Sequence, residues 1–195
     1  APVAEAARVQ QQAGFTQTER RLNGIPASYV VPNRPGPFPA VLYCHAHGGD
    51  YGLGRREATQ GARWLCSAPA PDLIAAGFAV LALDMPGFGE RQPEGSESAL
   101  AKAGMWRGQP LFGRMVADQL SGFDWLAQQP EIRADSIATM GASMGAALAM
   151  WSGALEPRIA AVVNTCMLAD ICPLIDAGVH DRHGHYLTVP GLLRH

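Results

Sequence analysis

Residues 136–155 read SIATMGASMGAALAMWSGAL, and their pattern decides how the chain folds. The first five residues form a short apolar run typical of a buried strand, and the alanine-rich residues from Met144 onward are typical of a helix packed closely on a sheet. Between them, residues 141–145 match the pattern G-x-S-x-G. The stretch therefore predicts a strand, a very tight turn centred on Ser143, and a helix.

This turn makes Ser143 a candidate nucleophile. Flanking glycines remove the side chains that would collide with the strand and the helix, so the serine hydroxyl projects above the carboxyl end of the sheet. The backbone N–H of Met144 lies at the start of the helix, where it can donate to an oxyanion. A glycine-rich turn with an incidental serine is the competing interpretation.

A second loop carries candidate donors for the same chemistry. The apolar run at residues 40–44 leads into His45-Ala46-His47-Gly48-Gly49. Gly48 and Gly49 leave room for a backbone N–H to turn toward an oxyanion. We expect His45 and His47 to orient this loop; general-base catalysis by either is the alternative. No metal site is predicted at this H-x-H, because no acidic ligand is placed to complete it.

The rest of the chain alternates between strand and helix patterns. Further strands are predicted at residues 78–83 and 159–165, and further helices at residues 72–76 and 111–128. Residues 1–14 are interpreted as a short helix or a loose arm, followed by a hairpin of residues 16–21 and 27–31 around Asn23-Gly24. The alternation predicts an α/β fold with a doubly wound, mostly parallel sheet.

Composition excludes several classes of function. The 195 residues are 48% apolar and only 16% charged, which argues against disorder, and the net charge of -2 gives no support for nucleic-acid binding. No apolar run reaches the roughly 18 residues of a membrane span. The four cysteines match no zinc pattern; Cys44 and Cys166 are predicted to be buried in strands. Free thiols suit a reducing compartment and predict a cytoplasmic protein, or a periplasmic or secreted one if a signal peptide was removed.

Two charged features are interpreted as structural. The segment of residues 84–89 directly follows the apolar run at residues 78–83, and we expect it to be a rigid loop that closes one side of the pocket, with catalysis by Asp84 as the alternative. Arg55 and Arg56 follow a glycine-rich segment. They are predicted to be a solvated surface pair, with bidentate binding of a substrate carboxylate as the alternative.

The segments HAHGG, DMPGFGE and GASMG, in this order, resemble the α/β-hydrolase superfamily. RADSI at residues 133–137, DRHG at 181–184 and VPGLL at 189–193 are similar to the dienelactone hydrolase and acetyl xylan esterase-like branch. Dienelactone hydrolases proper have a cysteine at the elbow, whereas this chain has Ser143. The resemblance implies hydrolysis of a small-molecule ester without a cofactor or a metal, and the composition above predicts no nucleic-acid or membrane partner. It divides the chain into an N-terminal arm and first strand (1–24) and an α/β-hydrolase domain (25–195).

The resemblance leaves the acid and the histidine of the triad unassigned. Both usually follow later strands than residues 159–165, which count as the sixth, so we expect the chain to be the N-terminal portion of a longer hydrolase with a cap-like tail. The alternative is that the tail supplies substitutes, with Asp170 as the acid and His183 or His185 as the base. Two other functions stay open: a non-catalytic module, which could form a homo-oligomer through an unpaired sheet edge, and a peptide- or amide-cleaving relative.

Overall fold

A computed structural model describes residues 4–167 and 170–192. Residues 1–3 of the predicted arm and residues 193–195 of the predicted tail lie outside the described residues. The strands are β1 (Ala4–Gln12), β2 (Phe15–Leu22), β3 (Ile25–Pro32), β4 (Phe38–Cys44), β5 (Ala79–Leu83), β6 (Ile132–Ala142) and β7 (Ala161–Thr165). The helices are α1 (Glu57–Gln60), α2 (Pro69–Ala75), α3 (Glu97–Trp106), α4 (Leu111–Leu126), α5 (Met144–Leu155) and α6 (Ile171–Asp176). Short 3₁₀ turns are formed by Gly54–Arg56, Gly89–Glu94, His180–Arg182 and His185–Leu187.

The strands of the described ranges form one mixed sheet in the order β1-β2-β3-β5-β4-β6-β7. β1, β2 and β3 pair antiparallel with one another, and β3 pairs antiparallel with β5. β5, β4, β6 and β7 are parallel. The predicted α/β class is confirmed. No helix of the described ranges combines the length and the apolar character that crossing a bilayer requires.

The N-terminal region contains one confirmed prediction and one wrong one. β2 and β3 form the predicted hairpin, and Asn23 (φ 51°) and Gly24 (φ 83°) have the positive φ values of a tight hairpin turn. The helix or loose arm predicted for residues 1–14 is wrong over Ala4–Gln12, which pairs with β2 as a strand. Hydrogen bonding to β2 makes this segment a strand although its sequence has little apolar alternation. Because of this additional N-terminal strand, Ile132–Ala142 is the sixth strand of the chain instead of the fifth.

Helices cover both faces of the central strands. Leu42 and Cys44 of β4 belong to the apolar core that contains α4 and α5. The alternating residues Val41 and Tyr43 belong to a second core with α1 and α2. Strands with apolar residues on both faces therefore lie between two helical layers, as the continuous apolar runs predicted.

The long helix α4, which was predicted at residues 111–128, packs on the sheet through one apolar face. Most residues of this face are buried, and Leu120 and Ala127 pack partly buried against the same core. The buried set consists of Phe112, Met115, Val116, Gln119, Phe123 and Leu126. Pro110 caps the start of the helix, where its missing N–H costs no intrahelical hydrogen bond.

β7 lies at one edge of the described sheet and is more exposed than its sequence predicted. Four of its five residues are exposed, including Val162 and Val163. Cys44 is buried as predicted, whereas Cys166, just after β7, is exposed, so the prediction of burial for Cys166 is wrong. An apolar run is buried on both faces only where neighbouring elements cover both faces.

The carboxyl ends of three parallel strands place the candidate motifs together. Cys44 of β4 pairs with Gly141 of β6, and Tyr43 pairs with Ala82 of β5. The loops that follow these strands therefore lie together at the carboxyl ends of the strands, which is where ligands bind in open α/β sheets.

Candidate active site

Ser143 lies in a strained turn between β6 and α5. Its backbone has φ 52° and ψ -117°, values that residues other than glycine rarely adopt. Its N–H donates to the carbonyl oxygen of Thr165 at 2.9 Å, which fixes the turn to β7. The side chain is exposed and makes no capping hydrogen bond to α5. The predicted strand, turn and helix are thus confirmed, and the hydroxyl is left open to solvent.

The glycines on either side of Ser143 are required by close packing. A Cβ at Gly145 would overlap the carbonyl oxygen of Cys44 and lie 2.8 Å from that of His45. A Cβ at Gly141 would overlap the backbone of Gly145. The first turn of α5 therefore lies directly against the end of β4, and this contact brings Ser143 close to the loop that begins at His45.

The loop of residues 45–49 has backbone N–H groups with different partners. The N–H of Ala46 donates to Glu57 Oε1 at 2.9 Å, and that of Gly49 donates to His47 Nδ1 at 3.2 Å. The N–H groups of His47 and Gly48 make no hydrogen bond to any residue of the described ranges. Gly48 has φ 55°, and a Cβ there would overlap the ring of Trp64. Met144, as the first residue of α5, likewise has an N–H without an intrahelical acceptor.

His45 orients this loop from a fully buried position. Its Nδ1 donates to the carbonyl oxygen of Ala46 at 2.9 Å, and its Nε2 accepts from the N–H of Met85 at 3.2 Å. These two partners together require a neutral ring with its proton on Nδ1. Burial lowers the pKa of His45, although the hydrogen bond to Ala46 and the nearby Asp84 oppose the shift. His45 therefore joins the loops after β4 and β5, as expected, and its ring nitrogens are not available to substrate.

This burial predicts a pH dependence of stability. The unfolded chain binds a proton at His45 below about pH 6.5, whereas the folded chain does not until a lower pH, so stability falls as the pH drops below that value. His45 can contribute a slope of up to about 1.4 kcal/mol per pH unit. Denaturant unfolding at several values between about pH 5 and pH 8 measures it. His45→Asn should be less stable at neutral pH and show a shallower pH dependence; parallel curves for the two proteins would contradict the prediction.

Asp84 and Arg55 hold the neighbouring loops together. Asp84 is fully buried and accepts from the Arg55 N–H at 2.7 Å, from the Arg55 guanidinium at 2.5 Å and from the Glu90 N–H at 2.9 Å. Asp84 thus ties the start of the loop after β5 to Arg55 and to Glu90. The prediction of a solvated pair is wrong for Arg55, which is buried and also bridges Glu19, whereas Arg56 is exposed. The carboxylates that bury Arg55 come from distant parts of the chain.

A polar cluster around His47 was not predicted from the sequence. His47 Nε2 donates to Glu97 Oε2 at 2.6 Å, and the Tyr51 hydroxyl donates to the same oxygen at 3.0 Å. Glu97 is the first residue of α3, and its side chain is buried. An acidic residue after the N-cap Ser96 is an ordinary helix-start signal, and nothing in the sequence links it to His47, 50 residues away.

The predicted substitutes for the triad acid and base lie in the tail. Asp170 caps α6 by accepting from the Cys172 N–H at 3.0 Å. His183 follows the turn His180–Arg182, and His185 begins the turn His185–Leu187. Within residues 4–167 and 170–192, no side chain hydrogen-bonds the hydroxyl of Ser143. The roles of Asp170, His183 and His185 stay predictions.

An apolar cleft of about 330 Å³ lies beside the elbow helix. It is lined by residues of α4, α5 and the tail, among them Phe112, Val116, Ala147, Met150, Trp151 and Leu187. Ala147 donates its N–H to the carbonyl oxygen of Ser143 at 3.1 Å, so the cleft begins one helical turn from the candidate nucleophile. A cleft with this lining suits an uncharged, apolar part of a substrate.

Known proteins share this architecture. A family model described as X-Pro dipeptidyl-peptidase (S15 family) matches residues 24–190. A protein of Bacillus subtilis (strain 168) named "Putative hydrolase YtaP" is 40% identical over 179 residues, which are 89% of this chain and 60% of that protein. Acetyl xylan esterase 1 from Thermoanaerobacterium sp. JW/SL YS485 matches 100% of this chain and 61% of its own with a TM-score of 0.67 and 20% identity. The acetyl xylan esterase from Paenibacillus sp. R4 matches 100% and 62% with a TM-score of 0.65 and 18% identity.

These comparisons confirm the α/β-hydrolase resemblance. At 20% and 18% identity the two esterase structures show the fold alone. The chain spans 60% of the length of the Bacillus protein and 61% and 62% of the lengths of the two esterases.

Proposed function

Because the chain belongs to the X-Pro dipeptidyl-peptidase (S15) family, we propose that it is a serine hydrolase that cleaves carboxylic esters through an acyl-enzyme on Ser143. The observation that carries the proposal is the strained backbone of Ser143, with a φ of 52°. In this conformation the side chain is exposed at the start of α5, and its hydroxyl makes no capping hydrogen bond to that helix. Strain of this kind persists where the surrounding structure enforces it, and it is concentrated at reactive sites.

The proposed reaction uses the N–H groups around this hydroxyl. Ser143 Oγ attacks the ester carbonyl carbon and gives its proton to a histidine base. The N–H of Met144 and the N–H of His47 or Gly48 hold the tetrahedral oxyanion. The alcohol leaves with the proton from the base, and water then attacks the acyl-enzyme and releases the acid. Gly49 is a weaker candidate donor than the other two loop residues, because its N–H donates to His47 Nδ1.

The apolar cleft beside α5 is the proposed site for one apolar substituent of the ester. It begins at Ala147, on the turn of α5 that follows the proposed nucleophile. The proposed chemistry uses serine, backbone amides, a histidine and water, and it requires neither a metal nor an organic cofactor.

Labelling with a fluorophosphonate probe tests the proposal. The protein expressed from its complete reading frame is incubated with the probe, digested with trypsin and analysed by mass spectrometry. We expect one adduct in the peptide of residues 134–158, and fragmentation distinguishes Ser143 from Ser136 and Ser152 in the same peptide. An adduct at another residue, or none, would refute the proposal; the latter result would favour a non-catalytic module.

Cleavage of a peptide bond after proline is the second candidate function. The observation that favours it is the description of the matching family, which is that of a dipeptidyl-peptidase. Attack by Ser143 and stabilisation of the oxyanion are the same for an amide and an ester, so the elbow does not distinguish them. Parallel assays with p-nitrophenyl acetate and an X-Pro p-nitroanilide distinguish the two functions. If the protein is an esterase, we expect the higher kcat/KM with p-nitrophenyl acetate.

A further inference from the structure

The buried carboxylate of Glu97 connects three separate segments near the proposed oxyanion site. Its Oε2 accepts from His47 Nε2 and from the Tyr51 hydroxyl, and its Oε1 accepts from the N–H of Tyr186 at 3.0 Å. Glu97 therefore links α3, the loop after β4 and the tail. A Cβ at Gly184 would lie 2.7 Å from Glu97 Oε1, so the tail approaches the carboxylate closely.

Glu97 determines which nitrogen of His47 carries the proton. A carboxylate accepts and does not donate, so His47 Nε2 must be protonated to make the 2.6 Å contact. Nδ1 of the same ring accepts from the N–H of Gly49 at 3.2 Å, so it carries no proton in this arrangement. The hydrogen bond that closes the loop of residues 47–49 thus depends on the tautomer that Glu97 selects.

Aromatic rings hold His47 in place around this contact. The ring of Tyr51 lies 5.0 Å from that of His47, the ring of Phe88 lies 5.4 Å away, and the ring of Tyr186 lies 5.9 Å away. The imidazole therefore has little freedom to turn. The backbone N–H groups of His47 and Gly48, which have no acceptor among the described residues, are held with it.

We propose that Glu97 is a positioning residue for the oxyanion site: through the tautomer and orientation of His47, it fixes the backbone N–H groups of His47 and Gly48. This inference rests on the proposed function of Ser143. It assigns to Glu97 a role in the reaction that is exerted through another side chain, His47. Oxyanion donors act mainly in the transition state, so a loss of positioning should lower kcat more than it raises KM.

The charge of Glu97 is consistent with this role. Burial favours the neutral acid, but hydrogen bonds from His47, Tyr51 and the Tyr186 N–H outweigh it and lower the pKa of Glu97. The side chain is therefore an ionised acceptor at neutral pH.

Glu97→Gln is the decisive variant because it keeps the size and changes only the acceptor. If the amide NH₂ of the new glutamine faces Tyr186, two donors meet, because the backbone N–H of Tyr186 also needs an acceptor. If the NH₂ faces His47, then Nε2 of the ring must accept and the ring proton must move to Nδ1. That proton would then face the N–H of Gly49, which again places two donors against each other. We expect kcat for p-nitrophenyl acetate to fall about 10- to 100-fold and KM to change less than about threefold. The rate of fluorophosphonate labelling should fall in the same proportion as kcat.

Glu94→Gln is the matched control. Glu94 lies three residues earlier, is paired with Arg91 and Arg114, and does not contact His47. Its kcat and labelling rate should stay within about twofold of the unaltered protein. Equal losses in both variants, or no loss in Glu97→Gln, would overturn the inference. Absence of labelling in the unaltered protein would instead refute the proposed function, and the inference with it.

Tyr51→Phe decides the question if Glu97→Gln does not fold. It removes one donor to Glu97 and the 3.1 Å contact of the same hydroxyl with His47 Nε2, but it keeps the ring that stacks on Phe88. We expect a smaller fall in kcat, about threefold to tenfold, with KM unchanged. An unchanged kcat and labelling rate in a folded Tyr51→Phe variant would count against positioning through Glu97.

Discussion

Alanine at Ser143 is expected to lower kcat for an activated ester by about ten-thousandfold to a millionfold, with a small change in KM. The substitution removes the atom that forms the acyl-enzyme, while the cleft and the backbone N–H groups remain. Residual turnover should come from those groups alone. Steady-state kinetics with p-nitrophenyl acetate measure the loss, and fluorophosphonate labelling should disappear.

Ser152→Ala is the control for this prediction. Ser152 lies on the same helix, is fully buried, and its hydroxyl has no hydrogen-bond partner in the described residues. Its removal should leave kcat unchanged. If Ser143→Ala kept more than about a tenth of the activity, a different nucleophile or a direct attack by water would have to carry the reaction.

Alanine at Gly145 is expected to destabilise the protein by about 3 kcal/mol or more and to lower activity about a hundredfold. The added Cβ overlaps the carbonyl oxygen of Cys44, which belongs to the backbone of a central strand and cannot rotate away. Relief requires α5 to move away from β4, which displaces Ser143 from the loop of residues 45–49. Urea unfolding and kcat/KM measure the two effects.

Gly113→Ala provides the comparison. Gly113 is an exposed residue of α4, and a Cβ there would meet Pro110 only at 3.6 Å, an ordinary contact. Its substitution should raise stability by up to about 1 kcal/mol, because alanine has the higher helix propensity. Similar urea midpoints for Gly145→Ala and Gly113→Ala would show that α5 has room to move and would contradict the packing argument.

The elbow could be predicted from sequence because its constraints are local. The run before Ser143, the glycines on both sides and the alanines after it are contiguous, and each fits the same strand, turn and helix. The hairpin at Asn23-Gly24 likewise follows from a local turn signal.

The missed features depend on residues far apart in the chain. Arg55 is buried only because Glu19, Asp84 and Glu90 meet around it. Glu97 has a role only because folding brings it against His47. β1 is a strand because β2 offers it an edge, and its own pattern gives little indication. Local pattern thus located the proposed nucleophile, whereas the groups that support it required the tertiary structure.

The positive φ at position 143 favours stability and catalysis through different residues. Glycine adopts this conformation without the penalty of about 1 kcal/mol or more that a serine bears there. A screen that rewards heat resistance alone should therefore enrich glycine at this position and discard the reactive hydroxyl. Engineering of a more thermostable variant therefore has to keep Ser143 and introduce stabilising substitutions at other positions.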